Sequence, residues 1–293
     1  METRVDNIEA GKHLGQKSQY SHTYDPSLLV AVPRLPNREK IGYDNEIVPW
    51  KYGWDVWNCY EIYFINEKTG YPITGVAKIV YPSNSECIVE SKSLKLYLNS
   101  LNNTTSTVNK ITEIITRDLI KLLNVDVIVN ISVRNGNCCS EGHYYERLDS
   151  YLAKIILLDN IDIHTGEYVG NKYTGNLRLV SDALFSRCQI TNQPDHGKLI
   201  IDVESDNGIY IDQMEDFSKW IFSLKDENCF HEPTVEKIYN QIYHSWEFDH
   251  LCVTALYTRR GGISIAPLRS NSMKLIPNNI INPYIQHVKS LRE

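Results

Sequence analysis

Two stretches of this chain pass through the same succession of patterns: β-rich, β-rich, helical, helical, β-rich. In the first, residues 57–65 and 73–81 are crowded with aromatic and β-branched side chains and flank Asn66-Glu-Lys-Thr-Gly70, which suits a hairpin turn. A short helix opens after Val89. Behind Thr107, a capping residue, Val108, Ile111, Ile115, Leu119 and Leu122 recur at spacings of three and four, and residues 125–133 close the unit as a strand. In the second stretch, residues 199–203 and 209–211 are expected to pair as a hairpin about Ser205-Asp-Asn-Gly208. A helix over 215–224 follows. Another opens at Glu232, with Pro233 in its first turn and Val235, Ile238, Tyr239, Ile242 and Trp246 on its buried face. Residues 251–257 form the last strand.

This order predicts an α+β chain of two tandem units, each an antiparallel sheet covered on one face by paired helices. The repeat is one of pattern and hardly of sequence. Residues 1–45, polar with scattered proline and glycine, form an arm packed on the body; the units are expected over 46–140 and 141–293, with the break near the loop 135–142. A chain of 293 residues has room for two such units of ~150 residues. No apolar run approaches the ~20 residues a spanning helix needs, and the N-terminus lacks the apolar core of a secretory signal. Seven cysteines, an odd number with no Cys-x-x-Cys pair, argue against a zinc site or disulfide framework and for a reduced, cytoplasmic protein. The net charge of −6, with no dense Lys/Arg block, argues against a nucleic-acid partner. Phosphate binding must then be local, made by a few cationic side chains in one cleft.

Four segments carry chemistry-bearing residues. Cys188 and Asp195 lie seven residues apart in a polar segment between a helical-looking run and the strand at 199–203, with Pro194 and Gly197 turning the chain. A thiol attacks as the thiolate and needs a neighbour that manages its proton; a turn can fold the carboxylate back over the sulfur. A free cysteine also commonly packs as a small hydrophobe, and the segment alone leaves both roles open. Residues 89–97 hold two serines and two lysines at a helix start, where backbone N–H groups and the helix dipole favour an anion; ordinary capping is the competing role. In Phe230-His-Glu-Pro233, Glu232 can accept two hydrogen bonds from a purine-like edge and His231 can donate to a carbonyl, or both can be plain first-turn residues. Tyr257-Thr-Arg-Arg-Gly-Gly262 sets guanidinium forks beside backbone open to close approach, which suits a dinucleotide phosphate or an exposed turn. No Gly-x-Gly-x-x-Gly follows a strand and no zinc-ligand spacing occurs, so neither a Rossmann site nor a metal is expected.

Taken together, these segments resemble one family, the NADPH-dependent 7-cyano-7-deazaguanine reductases of queuosine biosynthesis. Glu90-Ser-Lys-Ser-Leu-Lys-Leu-Tyr97 resembles that family's signature, and the loop from Cys188 to Asp195 resembles its catalytic loop. Phe230-His-Glu232, Tyr257-Thr-Arg-Arg-Gly-Gly262 and Pro267-Leu-Arg-Ser-Asn271 resemble its C-terminal half. Tyr24-Asp-Pro-Ser-Leu-Leu29 and Val32-Pro-Arg34 resemble the arm of the long, two-module subfamily. The motifs stand in the right order over nearly the whole chain.

The resemblance implies the tunnelling fold, two modules in each chain, and a homodimer. It implies reduction of 7-cyano-7-deazaguanine to 7-aminomethyl-7-deazaguanine by two NADPH, through a covalent thioimide on Cys188 with Asp195 as proton donor. Asp195 must be protonated when it acts, which a raised pKa would favour. The resemblance further implies a substrate pocket of Val89, Glu90, Ser91, His231 and Glu232, and an NADPH site of Ser91, Lys92, Arg260 and Gly261. Each site must then form between the two halves. His196 departs from the family, which more often has a large aromatic residue there. Two other readings share part of the pattern. Amidine-forming relatives of archaeosine biosynthesis capture a nitrile on cysteine but add ammonia within tRNA without NADPH; the intact segment from Glu90 to Lys95 and the acidic charge argue against them. A non-catalytic purine- or pterin-binding module would keep Glu232 but have no use for the Cys188/Asp195 pair.

Overall fold

The structure is a computed structural model that describes residues 23–70, 72–133 and 166–283. The arm contributes a short strand β1 (Ala31–Pro33) and a short helix α1 (Leu35–Glu39). The first unit runs β2 (Tyr52–Asn66), β3 (Pro72–Pro82), β4 (Cys87–Val89), α2 (Ser91–Ser100), β5 (Thr105–Ser106), α3 (Val108–Leu123) and β6 (Ile128–Val133). The second runs β7 (Gly166–Val169), β8 (Lys172–Arg187), β9 (Pro194–Tyr210), α4 (Ile211–Ser223), α5 (His231–Ser245), β10 (His250–Tyr257) and β11 (Ile263–Ser270), followed by α6 (Asn278–Ile281). The break expected at 140/141 lies outside the described residues, as do residues 1–22 of the expected arm.

Among the described residues, nine strands form one sheet in the order β6-β3-β2-β11-β10-β9-β8-β7, with β5 added to β2, and β1 pairs separately with β4. The two units meet edge to edge where β2 runs antiparallel to β11. Period-two alternation sends Trp57, Ile79 and Ile265 to one face beneath α2 and α3, and Leu251, Val253 and Ala255 to the same face beneath α4 and α5. The opposite face carries Val56, Val80, Leu256 and Leu268, covered in part by Leu275, Ile276 and Ile280. This is the α+β arrangement of paired helices on antiparallel strands, with both units sharing one continuous sheet. Helix α3 forms where its spacing predicts: Thr107 accepts from Lys110 N at the start, Asn124 ends it in the left-handed region (φ 53°), and Ile111, Ile115 and Leu119 are wholly buried.

Two expectations are corrected. The hairpin expected about Ser205-Asp-Asn-Gly208 does not form, because β9 continues through it and pairs with β8 along its whole length. The extra residues are absorbed as a bulge: Ser205 Oγ accepts from Gly208 N at 2.9 Å, Asp206 N donates to Asp249 Oδ2 at 2.9 Å, and Gly208 takes φ 80°. The run before Ser186, helical in appearance, is the strand β8. A bulge between Ser181 and Leu184 returns Leu184 to the buried face already occupied by Leu177 and Leu179, and this breaks the alternation. Strands β8 and β9 therefore take the place of the expected hairpin before the two helices, with β7 added ahead of them and β11 after β10. Helix α4 also begins earlier than expected, at Ile211.

At the seam between the units, the helix-covered face is charged rather than apolar. Arg34 and Arg38 from the arm, Asp55 of β2, Glu236 of α5 and Arg269 of β11 are each at most 2% exposed. Arg269 Nη1 donates to Asp55 Oδ1 at 2.9 Å and its Nη2 to Glu236 Oε1 at 2.9 Å; Arg38 holds both oxygens of Glu236; Arg34 Nη2 donates to Asp55 Oδ2 at 2.5 Å. Arg38 and Arg269 also face the Trp50 ring, at 5.5 and 5.7 Å from its centroid. Desolvation costs several kcal/mol per ion here, and it is offset only because nearly every group finds a charged partner.

Candidate active site

The thiol loop is the connection between β8 and β9. Ser186 lies opposite Asp195 and Arg187 opposite Pro194; beyond them Cys188 N donates to the Gln193 carbonyl at 2.8 Å. Asn192, at φ 56°, closes the loop and donates its N–H to the Cys188 carbonyl. Ser186 and Asp195 face each other across the hairpin, and Cys188 follows just past the end of β8. Cys188 is half-buried and Asp195 is 5% exposed.

Two further segments converge on that carboxylate. Arg260 Nη1 lies 2.8 Å from Asp195 Oδ1, and His231 Nε2 lies 3.4 Å from the same oxygen. His231 opens α5, its ring against that of Tyr257 with centroids 3.9 Å apart. His196 stacks on Phe185 with planes 15° apart, so its imidazole fills the flat packing position that a larger aromatic ring would take.

Glu232 follows His231 in the first turn of α5, 2% exposed, and its Oε1 has no hydrogen-bond partner among the described residues. Burial, and then the charge of Asp55, push this carboxyl up to about 7 against the opposing pull of His231 and Arg34. The strand leading to Val89 is held close by: Val32 and Ile88, neighbours in the β1–β4 pair, pack with Ile190 of the thiol loop and Phe230 at the entry to α5. Val89 N donates to Tyr81 Oη at 3.4 Å, and burial together with Asp55 and Glu232 pushes that hydroxyl up.

Glu90 is committed elsewhere. Its Oε1 accepts from Lys92 N at 2.8 Å and Ser91 Oγ at 3.4 Å, and its Oε2 accepts from Ser93 N at 2.7 Å. The anion at the start of α2 is thus the chain's own carboxylate, and the N–H groups expected to be open to a phosphate serve as a cap. Lys95, one turn further along α2, is the second of the two lysines in 89–97, outside the four residues expected to hold NADPH. It reaches the turn after Arg260, where a Cβ on Gly261 (φ 54°) would lie 2.8 Å from Lys95 Nζ. Gly261, Lys95, Glu61 and Asn99 line a cavity of about 300 Å³. Backbone bare of a Cβ beside an ammonium group at such a cavity fits a phosphate-bearing cofactor. The signal for Lys95 was its helical offset of three from Lys92. Tyr81 and Tyr257 carried no signal, since aromatic residues at strand ends look like ordinary core.

Residues 20–131 match the family described as "Nitrile reductase, 7-cyano-7-deazaguanine-reductase N-term", and residues 194–274 match "QueF-like protein". The chain is 37% identical over 278 residues to the NADPH-dependent 7-cyano-7-deazaguanine reductase of Legionella pneumophila (strain Lens), covering 92% of this chain and 93% of that one. It is 34% identical over 273 residues to the protein of the same name from Rickettsia prowazekii (strain Madrid E), covering 91% and 95%.

Proposed function

The chain belongs to the family of NADPH-dependent 7-cyano-7-deazaguanine reductases, and on that footing we propose that it reduces 7-cyano-7-deazaguanine to 7-aminomethyl-7-deazaguanine in queuosine biosynthesis, through a thioimide on Cys188. The observation that carries this reading is the meeting at Asp195 of three separate segments, the thiol loop, the start of α5 and the Arg-Gly turn.

The Cys188 sulfur bonds to the nitrile carbon, one π bond of C≡N opens, and the nitrogen takes its proton from Asp195. The C=N so formed accepts hydride where the nitrile does not. NADPH, when bound, supplies that hydride in each of two rounds. After the first reduction the C–S bond breaks, which frees the thiolate and leaves an imine; the second, with a further proton from the reprotonated Asp195, brings the total to four electrons and gives the amine. His231, 3.4 Å from Asp195, offers a route for its reprotonation. Glu232 accepts two N–H donors of the guanine-like edge. Main-chain groups of Val89, Glu90 and Ser91 complete the base pocket, because the Glu90 carboxylate is spent on α2. Arg260 and Gly261, with Ser91, Lys92 and the neighbouring Lys95, hold the cofactor phosphates.

The same reading makes the protein a cytoplasmic homodimer with a small-molecule substrate and no direct contact with nucleic acid or membrane. No helix among the described residues is long and apolar enough to cross a bilayer. The test is intact-mass measurement after mixing with 7-cyano-7-deazaguanine alone. An adduct of the full substrate mass should appear on the parent protein and not on Cys188→Ala. No adduct on the parent would sink the covalent route and favour a binding module.

A further inference from the structure

The seam network is unbalanced. Three arginines, Arg34, Arg38 and Arg269, face two carboxylates, Asp55 and Glu236, all buried. Arg38 has both its Nε and Nη2 on Glu236, and Arg269 divides itself between Glu236 and Asp55. Arg34 spends Nη2 on Asp55 and Nε on Ser85, while its Nη1 stands 3.8 Å from Glu236 and makes no hydrogen bond among the described residues. One turn before Glu236 on α5 stands Glu232, buried and also with an oxygen lacking a partner. One cation in excess thus lies beside one carboxylate outside the network.

We propose that Arg34 is a positioning residue for Glu232: from the N-terminal arm it supplies the buried positive charge that lets Glu232 stand ionised, as acceptor of the substrate's N–H groups, without a salt-bridge partner of its own. This rests on the reading that Glu232 holds the deazaguanine edge. A carboxylate is acceptor-only and can take two N–H donors at once, whereas the neutral acid has a proton in the way. A direct Arg–Glu232 bridge would occupy the oxygens that the substrate needs. A guanidinium fixed on Asp55 and Ser85 biases the charge and leaves the oxygens open. The groups facing Glu232 are Asp55 from β2, Tyr81 from β3, His231 on its own helix and Arg34 from the arm. Asp55 acts against ionisation, while Arg34 and His231 act for it.

The test is equilibrium binding of 7-cyano-7-deazaguanine by calorimetry between pH 5.5 and 8.5, in a Cys188→Ala background so that binding is non-covalent. The parent should lose affinity as pH falls through the Glu232 titration. Arg34→Gln should move that acidic limb upward by about one pH unit, with about fivefold weaker binding at pH 7 that largely recovers at pH 8.5. Arg34→Lys, which keeps the charge, should leave the limb in place. Asp55→Asn should move it the opposite way, which general damage to the seam would not do. A limb unmoved in a folded Arg34→Gln protein overturns the proposal, and where that variant does not fold, an unmoved or upward limb in Asp55→Asn does so. Undiminished binding by Glu232→Gln would instead overturn the reading of Glu232 on which the proposal stands.

Discussion

Glu232 has an ordinary ionisation near 4.5 in an unfolded chain and about 7 in this fold. Below 4.5 the carboxyl is protonated in both states, and its contribution to stability is fully present. Between 4.5 and 7 only the unfolded chain ionises, so stability is lost, by a total on the order of 3 kcal/mol from 1.36 kcal/mol per unit. Glu232→Gln should therefore gain in melting temperature over the parent as pH rises from 5 to 8. A difference that stays constant with pH would contradict the burial argument. Arg260 lies 2.8 Å from the Asp195 carboxylate and is proposed also to hold the cofactor. Arg260→Ala should raise the NADPH KM at least tenfold, a loss of about 1.4 kcal/mol or more of binding. An unchanged KM would remove Arg260 from the cofactor site. Asp195→Asn keeps the shape but has no acidic proton to give, and should slow adduct formation by about 10²-fold or more.

The elements were legible wherever one period ran unbroken. The spacing of Ile111, Ile115 and Leu119 marks α3, and Thr107 marks its start. Its cap makes a direct prediction: Thr107→Ala should destabilise the protein by about 1 kcal/mol in denaturant unfolding, and a loss near zero would mean that Lys110 N is satisfied otherwise. Strands β8 and β9 were not legible, because bulges interrupt their alternation and one strand then looks like two, or like a helix. Such irregularity stands beside the candidate site, since the β8–β9 hairpin carries Cys188 and Asp195 at its tip. The segments bearing the site were nonetheless readable one by one. What sequence could not give was their meeting. The contacts from His231 and Arg260 to Asp195 span 36 and 65 residues of chain, and nothing local announces them. Nor does anything local announce that Glu90 turns inward to cap α2 rather than toward a ligand.

At the scale of the whole molecule, the pairing of β2 with β11 makes one sheet of two units, and the arm closes the seam on its helix-covered face. Arg269 touches both Asp55 and Glu236 there, so Arg269→Met strips each buried carboxylate of one of its guanidinium partners. It should cost about 3–5 kcal/mol in equilibrium unfolding, and a cost under about 1 kcal/mol would mean that the seam relaxes around the loss. The seam also fixes, through Glu236, the helix whose first turn carries His231 and Glu232. The account as a whole rests on the thiol making a nitrile reducible. Its most direct test follows NADPH oxidation and nitrile consumption together in the purified protein. Two NADPH should disappear for each nitrile consumed, and none with Cys188→Ala. An adduct that forms on Cys188 while no NADPH is oxidised, or oxidation that persists in Cys188→Ala, would contradict it.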